Sequence, residues 1–95
     1  MLIGRVVGSL VSTQKDPQME GFKLLVLRRV GIDAKDADGY VVAADGVGAG
    51  DGELVLYASG SSARQTERTR DKPCDAVVMA IVDSWEVDGR EVYRK

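Results

Sequence analysis

Histidine is absent from these 95 residues, and cysteine occurs once, at Cys74. Without an imidazole there is no Ser-His-Asp or Cys-His nucleophile and no histidine metal ligand. A lone thiol closes no internal disulfide, which suits a reducing compartment such as the cytosol. Aromatic residues make up only 5% of the chain, too few for a base-stacking platform, and the net charge of −2 opposes nucleic acid or an anionic membrane as the main partner. Long apolar runs are missing too. The run at residues 76–82 falls far short of the roughly 20 residues needed to cross a bilayer, and the N-terminus lacks a basic region ahead of an apolar stretch. What remains is ordinary: 44% hydrophobic and 29% charged residues, read as one domain over residues 1–95 with a modest core.

The pattern along the chain is that of strands. Residues 2–13 alternate in two registers, with Leu2, Gly4, Val6, Gly8 and Leu10 on one face. Further strands are predicted over 22–30, 40–44, 53–59 and 75–87, and Asp88-Gly89 makes a tight turn into 90–93. Residues 31–39 place Asp36, Asp38 and Gly39 as in a calcium loop. Its first position would be Ala34 and its twelfth Asp45, with strands on either side, so the expectation is a solvated turn and no metal. Between Glu67 and Lys72 acids and bases mix, which makes an exposed segment and not a basic patch.

Residues 42–65 are the most informative stretch. Gly46, Gly48, Gly50 and Gly52 stand at every second position, so in extended form one face is bare. The dinucleotide pattern G-x-G-x-x-G fails, its last position being Asp51 or Glu53, and no Walker lysine follows. A loop or a close backbone approach remains. Next, residues 54–58 are apolar consecutively, which suits a strand covered on both faces; in so short a chain a second copy is the nearest cover. Ser62-Ala63-Arg64-Gln65 fits a capping box, predicting a helix of about two turns that stops before Pro73. Five strands and one short helix indicate an all-β fold, a small five-stranded OB-like barrel. Such barrels also serve as nucleic-acid- or ligand-binding modules, which is the alternative reading. No paired catalytic constellation stands out, so no enzyme and no cofactor are expected.

The chain also resembles a known family. The resemblance is carried by Met1-Leu2-Ile3-Gly4-Arg5-Val6-Val7-Gly8 with Ser12-Thr13-Gln14-Lys15, by Gly21-Phe22-Lys23-Leu24-Leu25, and above all by Asp45-Gly46-Val47-Gly48-Ala49-Gly50-Asp51-Gly52-Glu53. It continues through Val55-Leu56, Gly60-Ser61-Ser62-Ala63-Arg64, Pro73, Asp75, Ala76 and Ile81-Val82-Asp83, while Cys74 and Trp85 depart from it. Together these residues are similar to the bacterial microcompartment vertex proteins of the EutN/CcmL type. The resemblance implies a structural barrel subunit that assembles as a pentamer, caps the vertices of a polyhedral shell among hexagonal shell proteins in the bacterial cytoplasm, and catalyses nothing. Set beside the bare glycine track, it makes Gly48, Ala49 and Gly50 candidates for the rim of a fivefold opening. Glu53, Ser61, Ser62 and Arg64 join them as candidates for the subunit interface, Arg64 as a bidentate bridge.

Overall fold

A computed structural model describes residues 1–12, 16–19, 21–66, 69–70 and 75–95. Seven strands are described: β1 (Leu2–Leu10), β2 (Leu24–Val30), β3 (Asp36–Asp45), β4 (Leu54–Ser59), β5 (Ala76–Ile81), β6 (Ser84–Val87) and β7 (Arg90–Arg94). The first five close into a barrel in the order β1-β2-β3-β5-β4, and β6-β7 is a separate hairpin. All pairings are antiparallel except β3 with β5. Two short 3-10 turns, Pro17–Met19 and Gly60–Arg64, complete the described elements.

Alternation sorts side chains into two apolar clusters. Val6, Leu25, Leu27, Ala43, Val55, Tyr57 and Val78 fill the barrel. Phe22, Ala44, Ala58, Ala63 and Val77 form a second cluster on the outer wall, joined by Leu24 and Met79. The expectation that a second copy is the nearest cover for the second face of β4 is therefore corrected at one position. At Ala58 the cover is the Gly60–Arg64 turn and Phe22 of the same chain.

Among the differences from the sequence reading, three have a local reason. β3 begins at Asp36 because the chain has already reversed: Gly31 N donates to Lys35 O (2.9 Å), and Asp33 Oδ1 accepts from Lys35 N (3.0 Å). Arg5 then pairs with Asp36 across the sheet. The single strand expected over 75–87 is two strands. Val82 N makes a last bond to Leu54 O (2.8 Å), after which Asp83 O accepts from Lys95 N (2.7 Å) and the chain leaves the barrel. The capping box does not form: Ser59 occupies the N-cap without a side-chain bond, and Gln65 ends the turn, its N–H donating to Ser62 O. Pro73 and Cys74, with Thr13 to Lys15, Glu20, Glu67, Arg68, Asp71 and Lys72, lie outside the described residues.

The hairpin turns at Asp88 and Gly89, whose φ of 52° and 77° are those of the expected two-residue turn. An isolated two-stranded sheet is marginal in water. This one is held at its base, where Trp85 stacks on Tyr93 (5.2 Å) and donates its Nε1–H to Ile32 O (2.9 Å). Trp85→Ala is expected to remove about 2 kcal/mol of local restraint, speeding amide exchange in β6-β7 about thirtyfold with β1–β5 protection unchanged. Hydrogen exchange read residue by residue checks this.

Candidate functional site

The glycine stretch is a folded loop, one of the two readings its spacing left open: β3 ends at Asp45 and β4 resumes at Leu54. Asp45, only 7% exposed, organises it. Its Oδ1 accepts from the backbone N–H groups of Val47 (3.0 Å), Gly48 (3.0 Å) and Ala49 (3.3 Å), so one carboxylate oxygen satisfies three successive donors. The bend brings Gly46 against β5, where a Cβ would stand 2.8 Å from Val78 O. Close approach at Gly46 is thus made by the chain's own backbone. Gly48 has φ +78° and open space where a Cβ would be.

The candidate residues separate into two places. Ala49 turns its methyl into the barrel core and is 2% exposed, while Gly48 and Gly50 on either side are exposed. Glu53 joins them: its Oε1 accepts from Gly50 N–H (2.6 Å) and its Oε2 pairs with the Lys95 ammonium. Ser61 and Ser62 are exposed on the Gly60–Arg64 turn, with half-buried Arg64 at its end. Sequence reasoning missed Asp45, Gly46 and Lys95 as parts of the loop's support. An aspartate directly before a glycine-rich bend is an Asx-turn signal and could have pointed to the first two; nothing local announces Lys95, which lies 42 residues from Glu53.

The bond from Lys95, then that from Gly50, holds the Glu53 carboxyl below its ordinary 4.5, and the bond to Glu53 raises the Lys95 ammonium above its ordinary 10.5. A lowered carboxylate contributes stability above pH 4.5 that is lost as pH falls through the lowered value. A raised ammonium contributes stability below pH 10.5 that is lost as pH rises through the raised value. The link from loop to hairpin is thus expected to hold across the neutral range and to open at both extremes. An NMR titration should show the Gly50 amide resonance moving below pH 4.5, with a higher midpoint in Lys95→Met.

Residues 1–83 match the family described as ethanolamine utilisation protein EutN/carboxysome. The carboxysome shell vertex protein CcmL of Gloeobacter violaceus is 48% identical over 95 residues, covering 100% of this chain and 95% of that protein. The microcompartment shell vertex protein PduN of Salmonella typhimurium is 48% identical over 88 residues, covering 88% and 97%. Among solved structures, that of Gloeobacter violaceus CcmL superposes with a TM-score of 0.96, covering 100% of this chain and 98% of that one at 48% identity. The pentameric shell protein GrpN of Rhodospirillum rubrum superposes at 0.83, with 41% identity and coverage of 92% and 100%.

Proposed function

The chain belongs to the EutN/CcmL family of microcompartment shell vertex proteins, and from that membership we propose how its geometry works in a shell. It is a structural subunit whose pentamers cap the vertices of a polyhedral bacterial microcompartment and close the shell. Hexagonal tiles alone lie flat. Putting a fivefold piece where a sixfold one would sit removes a wedge from the sheet and forces curvature. The observation that carries this reading is the near-complete match, in sequence and in backbone, to proteins of that role.

In this reading one domain spans residues 1–95, works in the bacterial cytoplasm beside hexagonal shell proteins, and performs no chemistry. The Asp45-anchored loop presents Gly48 and Gly50 toward the fivefold axis, Ala49 fixing it from within the barrel. Glu53, Ser61, Ser62 and Arg64 lie along the contact between neighbours. Support comes from the exposure of Gly48, Gly50, Ser61 and Ser62 and from the open space beside Gly48 among the described residues.

The test is native mass spectrometry of the purified chain, expected at five times 10.2 kDa. A chain that stays solitary at high concentration, alone and beside shell tiles, refutes the reading. Gly50→Val tests the rim separately. At Gly50 a Cβ would meet only Glu53 Oε1, at an ordinary 3.4 Å, so the variant is expected to fold yet to lose most of its rings. Unchanged rings would remove Gly50 from the contact.

A further inference from the structure

Aspartate is followed directly by glycine four times, at Asp38-Gly39, Asp45-Gly46, Asp51-Gly52 and Asp88-Gly89. This dipeptide is especially open to backbone isomerisation, because no side chain shields the glycine nitrogen from the carboxyl of the residue before it. That nitrogen bonds to Cγ of the aspartate, the Cγ–OH bond breaks, and water leaves with the nitrogen's proton, giving a succinimide ring. Water then opens the ring. Opening at Cγ restores aspartate, whereas opening at the α-carbonyl leaves an isoaspartate, in which the chain runs through Cβ and the α-carboxylate becomes the side group. Mass and charge are unchanged, and water is the only co-reactant.

By sequence the four dipeptides are alike. The fold separates them, since the ring closes only where the carboxyl can swing onto the next nitrogen. At Asp45 the Oδ1 is tied to the N–H groups of residues 47–49, and Gly46 is pressed on β5, where a Cβ would stand 2.8 Å from Val78 O. At Asp51 the nitrogen is engaged, Gly52 N–H donating to Val6 O (2.8 Å). Asp38 and Gly39 lie inside β3, between Asp36, paired with Val30, and Tyr40, paired with Arg28. There the Arg29 side chain crosses Gly39, its Cδ 3.2 Å from where a Cβ would be.

Asp88-Gly89 has none of these restraints among the described residues. It is the two-residue turn between Val87 and Arg90, which close the β6–β7 ladder, so the Gly89 N–H lies outside that ladder. Both residues are exposed, and among the described residues nothing stands within 4 Å of a Cβ built on Gly89. Asp88 has φ 52°, a left-handed conformation that costs an L-residue energy to hold.

We propose that Asp88 is a site of spontaneous isoaspartate formation and that the modification releases the β6–β7 hairpin. The isoaspartyl link adds one main-chain atom to a turn of two residues whose geometry matches the twist of the strands it joins. Val87 and Arg90 then no longer face each other, and a two-stranded sheet without its closing pair is left with its base, Trp85 on Tyr93 and Ile32. The effect reaches the candidate rim, because Lys95, directly after β7, pairs with the Glu53 that holds the Gly50 N–H. None of this requires a ring, so its failure leaves the shell reading intact.

For the test, the purified chain is kept for weeks near neutral pH and physiological temperature in heavy-oxygen water, then digested and read by liquid chromatography and mass spectrometry. Each ring opening puts one heavy oxygen into the residue. Asp88 is expected to take up label and yield isoaspartate about tenfold faster than Asp38, Asp45 or Asp51, each of which must first break local structure. In denaturant the four should react at similar rates. The aged chain should show faster amide exchange in β6–β7 and at Gly50, with β1–β5 unchanged. Asp88→Gly keeps a glycine-glycine turn and lacks the carboxyl, so its hairpin should stay protected through the same ageing. No label at Asp88 in the folded chain, equal labelling at another of the four, or the same lead of Asp88 in denaturant overturns the site. Equal loosening of the aged Asp88→Gly hairpin overturns its release by isomerisation.

Discussion

Gly46→Val is expected to lower the melting temperature by about 10 °C, although the residue lies at the surface. The bend after Asp45 carries Gly46 so near β5 that a Cβ would stand 2.8 Å from Val78 O, with Val77 Cγ2 at 3.7 Å. The obstacle is a backbone carbonyl within the barrel wall, so it cannot rotate away as the end of a side chain can. Val78 is held by its pairing with Asp45 and with Tyr57. Either the loop lifts off or β3 and β5 part, and they share only two paired positions, Ala44 with Val77 and Asp45 with Val78. Overpacking of this kind costs about 2 kcal/mol, and each kcal/mol moves the midpoint of a domain this size by roughly 4–8 °C. Thermal unfolding followed by circular dichroism measures it. A variant melting within a degree or two of the parent would show that the loop can shift off β5 freely.

Asp45→Ala should cost about 3 kcal/mol, and the loss should be concentrated in the loop. Three N–H groups lose their common acceptor, and that of Ala49 lies in the buried part of the bend. Those of Val47 and Gly48 can turn to water, whereas a buried donor left unsatisfied costs about 1–3 kcal/mol beyond the charge-assisted bonds removed. Asp45→Asn keeps an acceptor of the same shape and should recover more than half of the loss. Denaturant unfolding gives the total, and amide exchange at residues 47–49 shows where it falls. Equal stability of the alanine and asparagine variants would mean that Oδ1 is not what shapes the loop. Because Gly48 and Gly50 are the proposed rim, assembly should weaken along with the loop in the alanine variant.

Much of the barrel was legible because period-two alternation is local information. Leu25 and Leu27 against Val26, and Val55 and Tyr57 within an unbroken apolar run, mark strands without reference to anything distant. The Asp88-Gly89 turn was legible for the same reason. The capping box did not form because it gives only a preference: the chain must run from β4 back to β5 over the outer cluster, and Ala63 is buried there within a 3-10 turn. For the glycine track both readings, a loop and a close backbone approach, are met, the second at Gly46. Spacing says that side chains are absent but not what takes their place, and here Asp45 folds the track on itself.

By itself, then, the sequence determined the strand content, the barrel class and the family, since alternation and a run such as Asp45–Glu53 are written in neighbouring residues. Only the tertiary structure decided which apolar residues the chain covers for itself and which stay exposed among the described residues. That division depends on a one-residue bulge near Val7, on Phe22 and Ala63 closing over one half of the outer wall, and on Arg28 pinning Tyr40 on the other. Each joins residues distant in the chain or alters strand register, and a one-residue change of register exchanges inside for outside.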